Sequence, residues 1–268
     1  MGFMVYDFDM QLSTPTISRP SEKVRSATEG LSCPKLLYRY SPTTHLAKIL
    51  KGEVSFAAPC ELNDPFDTWP NLPDDSKLLC ASIKEAAEKG KYGNIPQEFI
   101  NSASVDNRSN AERAQDVWDA INKKCRVLCF SESSEVPLLW WHYADGGKGI
   151  CVGYATAPLQ EAFGAFHKVE YVKNKPIYTV GDTRQLIMKG IAWDYEKEWR
   201  LIRRSEIASG NRFNASCPVS IKRIILGSRC KETFDTIRLQ AELTGTVVER
   251  LVVNSSSFAF TFDVLGTL

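Results

Sequence analysis

The chain has 268 residues, enough for one large domain or two small ones around a substantial buried core. With 43% hydrophobic and 24% charged residues its composition is that of ordinary globular protein, which excludes a low-complexity chain. Its 33 basic residues nearly balance 32 acidic ones, and a formal net charge of +1 demands no nucleic-acid partner.

No uninterrupted apolar run approaches membrane-spanning length, and the N-terminus lacks the basic, apolar, small-residue order of a signal peptide. Both features predict a soluble protein with no membrane partner. The eight cysteines are scattered, several within apolar runs such as Val127-Leu128-Cys129-Phe130, and no Cys-x-x-Cys pair occurs. Buried reduced thiols in a cytoplasmic protein are the expectation.

In chain order, residues 1–32 are rich in Ser, Thr, Pro and charge and predict a flexible arm, a place for a non-classical secretion signal or a partner-binding segment. Tyr6 argues against N-myristoylation at Gly2. Leu36 to Tyr40 predict a first strand, and Thr43 or Thr44 a helix cap ahead of Leu46, Ile49 and Leu50, with Gly52 ending the helix. A strand follows over 54–57, and Asn63-Asp64-Pro65-Phe66-Asp67 predicts a turn. Helical patterns over 76–89 and 109–124 predict an insertion spanning about 74–124. Strands are expected at 126–131, 149–154, 166–172, 197–203, 220–226, 246–253 and 258–264, with helices near 157–164, 183–190 and 231–243. Uneven runs of strands without regular βαβ alternation predict a single α+β domain over 33–268.

The chain has no phosphate-binding Gly-x-x-x-x-Gly-Lys loop, no Gly-x-Gly-x-x-Gly fingerprint and no Gly-x-Ser-x-Gly elbow. Gly146-Gly147-Lys148-Gly149 predicts a hairpin or loop. His45, His142 and His167 show no ligand spacing and are expected to be structural. Three segments carry the candidate chemistry. Arg39, between Tyr38 and Tyr40, offers a planar fork to phosphate or carboxylate. Ser131 and Ser133 end an apolar strand with two hydroxyls. Glu196 and Glu198, if extended, project from one face roughly 6 to 7 Å apart. Taken singly, each has a plain structural reading: an edge ion pair, a turn cap, and solvated glutamates on an edge strand.

In this order the three segments resemble the arginine-serine-glutamate class of mono-ADP-ribosyltransferases, although Glu132 stands inside the Ser-x-Ser and 92 positions separate Arg39 from Ser131. Separately, Asn63-Asp64-Pro65-Phe66-Asp67, Cys129-Phe130-Ser131-Glu132, Trp141-His142-Tyr143-Ala144-Asp145 and Tyr195-Glu196-Lys197-Glu198-Trp199-Arg200 resemble the hallmarks of a widespread bacterial family of unknown function, over roughly 36–230.

The transferase resemblance implies an ADP-ribosyltransferase-like split β-sheet core with peripheral helices and a helical insertion. It implies an NAD-dependent enzyme of toxin, effector or defence type that passes ADP-ribose to a macromolecular acceptor, protein sooner than nucleic acid, or hydrolyses NAD. Glu198 would then stabilise the oxocarbenium-like state and Glu196 activate the acceptor. Arg39 would hold the pyrophosphate or ribose and Ser131 brace Glu198, with no metal required. Tyr40, Ser133, His142 and Tyr143 complete the expected NAD-binding set. Two rivals stand beside it: a metal-dependent hydrolase or nuclease built on Asp64, Asp67 and His142, and a non-enzymatic binding module. Convergence of Arg39, Ser131 and Glu198 on one cleft favours NAD chemistry, and their dispersal the module.

Overall fold

The computed structural model describes residues 32–73, 81, 109–178, 184–204, 212–217 and 220–268, all within one compact unit, 32–268. The expected arm, save Ser32, and most of the expected insertion lie outside the described residues. Strands come first: β1 (Leu36–Ser41), β2 (Glu53–Phe56), β3 (Cys125–Ser131) and β4 (Ile150–Ala155). They are followed by β5 (Phe166–Lys168), β6 (Glu170–Val172), β7 (Met188–Gly190) and β8 (Glu198–Arg204). The last four are β9 (Phe213–Ser216), β10 (Ile221–Leu226), β11 (Val247–Val253) and β12 (Phe260–Thr267). The helices are α1 (Leu46–Leu50), α2 (Asn110–Lys124), α3 (Pro137–Tyr143), α4 (Thr156–Phe163) and α5 (Phe234–Gln240). The architecture is mixed α+β, and no helix among the described residues is long and apolar enough to cross a membrane.

Local chemistry explains several boundaries. Helix α2 starts at a reciprocal cap, in which the Glu112 N–H donates to Ser109 Oγ (3.3 Å) and the Ser109 N–H to Glu112 Oε2 (2.9 Å). Helix α1 turns Leu46, Ile49 and Leu50 inward, and Gly52, at φ 74°, ends it. Its entry differs from expectation: Pro42 precedes a 3-10 turn over Thr43–His45, with no side-chain cap.

Eight strands form one sheet in the order β12-β11-β10-β4-β1-β3-β8-β5, antiparallel except for the β10–β11 pair. Strand β2 pairs with β9, and β6 with β7, in two small separate sheets. Each face of the large sheet carries a buried apolar cluster. On one, Leu37, Leu128, Phe130, Val152, Tyr154, Trp199 and Leu201 pack with residues of α1, α4 and α5. On the other, Trp140 and Ala144 close over Cys151, Ile225 and Leu251, flanked by Tyr38 and Tyr40. Each fully buried aliphatic side chain contributes roughly 1.5–3 kcal/mol by leaving water.

Three further expectations change. The strand expected over 166–172 breaks at Val169, whose N–H bonds to Glu198 O while β6 leaves to pair with β7. The helix expected over 183–190 is a 3-10 turn at Arg184–Leu186 followed by β7, because pairing with β6 overrides its helical pattern. Glu196 is not in a strand: Ile191–Glu196 form a 3-10 turn, Lys197 sits in the left-handed region at φ 45°, and β8 begins at Glu198.

A 3-10 turn over Asp145–Gly147 leads into Gly149, which passes close to Ser41 at the end of β1. A Cβ on Gly149 would stand 2.3 Å from the Ser41 carbonyl oxygen and 2.9 Å from Ala144. Backbone, unlike a side-chain tip, does not yield at that distance, so Gly149→Ala is expected to cost about 1–3 kcal/mol. An unchanged urea midpoint for that variant would refute the close approach.

Candidate functional site

Beside the outer strands of the sheet, charged groups from four segments converge out of water. Asp67 comes from the predicted turn, where Asp64 Oδ1 accepts from the Phe66 N–H (2.9 Å) and Asp64 O from the Asp67 N–H (2.9 Å). Arg200, on β8 and 0% exposed, donates to both Asp67 oxygens at 2.9 and 2.6 Å. The same guanidinium donates to both Glu198 oxygens, at 2.8 and 3.0 Å, and to Leu186 O at 2.8 Å. All of its fork is occupied. Lys189, on β7, donates to Glu196 Oε2 at 2.5 Å and to Glu198 Oε2 at 3.4 Å. The Tyr143 hydroxyl donates to Glu196 Oε1 at 2.8 Å, and the Glu198 N–H to the Tyr171 hydroxyl at 2.8 Å.

Glu196 and Glu198 are each only 4% exposed, so they are not the solvated glutamates of an edge strand. They do share a site, as expected, but by another route: the left-handed Lys197 between them and the ammonium of Lys189 bring the carboxylates together.

Their environments push the two carboxyls apart. Burial alone would raise Glu198, but the adjoining Arg200 guanidinium, helped by Lys189, holds it down to about 2. Burial raises Glu196, and Lys189 offsets this only in part. For Lys189, burial is outweighed by the two glutamates and its pKa rises, so the amine stays charged. Burial, then the neighbouring Glu196, pushes the Tyr143 phenol upward. Burial, then the neighbouring Glu198 carboxylate, raises the Cys129 thiol well above the ordinary thiol value.

Next to this cluster opens a cavity of about 590 Å³. Phe66, Trp69, Tyr178 and Trp193 supply aromatic walls; Lys173, Lys175, Arg184 and Lys189 are its cations and Asp64 its carboxylate. Lys189 Nζ lies 4.7 Å from the Trp193 ring centroid. Thr68, held at φ 59°, also lines the cavity, and its hydroxyl oxygen is buried without a hydrogen-bond partner.

The predicted site residues divide. Tyr38 pairs with Ser131 and Ser131 with Glu198, which puts those three on one face of the sheet. Arg39, one residue on, therefore points to the opposite face, and the expected convergence of Arg39 with Ser131 and Glu198 does not occur. Ser131 braces the other glutamate: its hydroxyl donates to the Glu196 carbonyl at 2.7 Å. Ser133 Oγ caps a turn by accepting from the Glu135 N–H, and the Tyr40 hydroxyl donates to Ser133 O. Tyr143 reaches the cluster, whereas the exposed His142 packs near Tyr143 and Trp193.

The metal set also fails to assemble. Asp67 is taken by Arg200, Asp64 by its own turn, and no group of three His, Cys, Asp or Glu among the described residues is placed to hold a metal ion.

Sequence reasoning missed Lys189 and the role of Arg200. Arg200 was legible, since it stands two residues after Glu198 on a strand and shares its face. Lys189 carried no signal beyond lying in an apolar stretch. Comparison with protein families, curated proteins and solved structures finds no match to this chain.

Proposed function

We propose that the cavity beside Lys189 binds a phosphorylated aromatic ligand of the nucleotide class, with NAD as the substrate, and that the chain is an NAD-consuming ADP-ribosyltransferase or NAD hydrolase. The observation that carries this reading is that one buried ammonium, Lys189, belongs both to the cavity wall and to the Glu196–Glu198 pair. Aromatic walls suit a base or a nicotinamide ring, and the excess of cations over carboxylates suits phosphate. The unpartnered Thr68 hydroxyl is a further contact for a ligand. Phosphate recognition falls to Lys173, Lys175 and Arg184, in place of Arg39.

The strands that carry Arg39, Ser131 and Glu198 lie side by side, which supports an ADP-ribosyltransferase-like layout of this part of the sheet. In the proposed reaction an acceptor hydroxyl or water attacks the ribose carbon, nicotinamide leaves with the bonding electrons, and the attacking oxygen passes its proton to Glu196. Glu196, with the raised carboxyl pKa, is the partner suited to proton transfer. Glu198 serves as the fixed charge that positions Lys189 and Arg200. The acceptor is a protein group or water.

Two observations favour a second reading, a binding module without turnover: Arg39 lies on the sheet face opposite Ser131 and Glu198, and every carboxylate oxygen of Asp67 and Glu198 is already held by Arg200. Labelled NAD separates the two. Saturable quenching of tryptophan fluorescence together with nicotinamide release supports the enzyme, and Glu196→Gln then lowers release by about a hundredfold or more with quenching retained. Quenching without release from the wild type leaves the module. Absence of both refutes the nucleotide site.

A further inference from the structure

We propose that Arg39 anchors a second binding site, on the sheet face opposite the buried glutamates, which takes a phosphate group, either free phosphate or the phosphomonoester of a small molecule. This site shares no residue with the cavity beside Lys189 and stands independently of the NAD reading.

Strand alternation aims Arg39 at the face where Ile49 and Tyr154 belong to the main core. There it lines a cavity of about 290 Å³. A guanidinium has five donors, and withdrawing one from water is costly unless acceptors replace the water. Among the described residues the half-buried Arg39 side chain makes no hydrogen bond and no ion pair. By contrast, Arg200 and Arg223 are held by carboxylates. Burial lowers the pKa of Arg39, and the nearby Arg212 acts in the same direction, against Tyr154 and Cys129. Its surroundings therefore leave room for an added negative charge.

The remaining wall fits an anion. Lys48 of α1 and Arg212, just before β9, add cations, and Glu53 is the one carboxylate among the lining residues. Arg212 already holds Glu61 at 2.8 Å, which leaves Arg39 and Lys48 for a ligand. His45, with Nδ1 at 3.0 Å from Ser41 Oγ, has its pKa lowered by burial and by Arg39, and is neutral near pH 7. It offers a hydrogen bond instead of a charge. Arginine's planar fork matches two phosphate oxygens at once. The volume lies at the small end for ligand pockets, which favours phosphate or a small phosphomonoester over a dinucleotide.

The test is calorimetric titration of the full chain with inorganic phosphate and with ribose 5-phosphate, against sodium chloride at matched ionic strength. Saturable binding of either phosphate probe with no chloride response is expected, and whichever probe binds more tightly identifies the source. Arg39→Gln should weaken binding by about tenfold or more and Lys48→Gln by about threefold, with Lys123→Gln unchanged. Lys48 is exposed on its helix, so its variant carries the test should Arg39→Gln not fold. A chloride response equal to phosphate, or phosphate binding undiminished in both Arg39→Gln and Lys48→Gln, overturns the proposal.

Discussion

Arg200→Met should destabilise the protein by about 3–5 kcal/mol and lower its melting temperature by roughly 6–20 °C. The reason is what remains behind. Arg200 is 0% exposed and donates to both oxygens of Asp67 and both oxygens of Glu198. Methionine fills much of the volume but leaves two buried carboxylates without their guanidinium. Removing the charges together costs less, because well-packed apolar groups replace an ion cluster nearly neutrally. Asp67→Leu, Arg200→Met and Glu198→Leu combined should therefore be more stable than Arg200→Met alone. Thermal unfolding by circular dichroism checks both, and a single variant within 2 °C of the wild type would show that the cluster is not structurally coupled.

Acid should unfold the protein through the same cluster. The Glu198 carboxyl has an ordinary value of 4.5 and is held at about 2 in the folded state, where Arg200 and Lys189 overcome the effect of burial. A depressed folded-state pKa means that the unfolded chain binds the proton more tightly. Glu198 thus contributes its full stability above about pH 4.5 and loses it as pH falls towards 2. Glu196 runs the other way: burial raises its pKa, so its protonation on acidification relieves a cost of the folded state. Net loss is therefore expected only below about pH 4.5, with the steepest decline towards pH 2. Urea unfolding at steps from pH 7 to pH 2.5 measures this. In Glu198→Gln the decline should flatten below pH 4.5, and identical slopes in variant and wild type would remove Glu198 as its source.

Much of the local structure was legible in advance. The helix from Asn110, the turn at Asn63 to Asp67 and the apolar strands around Val127 and Ile224 depend on residues a few positions apart, and they form where their patterns indicate. The candidate site was legible only in part. Glu196 and Glu198 meet, but through the left-handed Lys197 and the ammonium of Lys189, neither of which strand periodicity implies. Arg39 shows the limit most clearly. Alternation separates it from Tyr38 and Tyr40, yet which of those faces holds the glutamates depends on the pairing of Tyr38 with Ser131 and Ser131 with Glu198. A slip of one residue in that register would reverse the answer.

By itself the amino-acid sequence determined the mixed α+β class, the principal strands and the turn at Asn63 to Asp67. These follow from short-range sterics, hydrogen bonding and the periodicity of apolar residues. Only the tertiary structure decided that Arg200 joins Asp67 to Glu198, that Lys189 joins both glutamates to a cavity, and that Arg39 faces a different cavity. The physical reason is separation along the chain: Asp67 and Arg200 are 133 residues apart, and no local pattern specifies which buried charges will find each other once the sheet has closed.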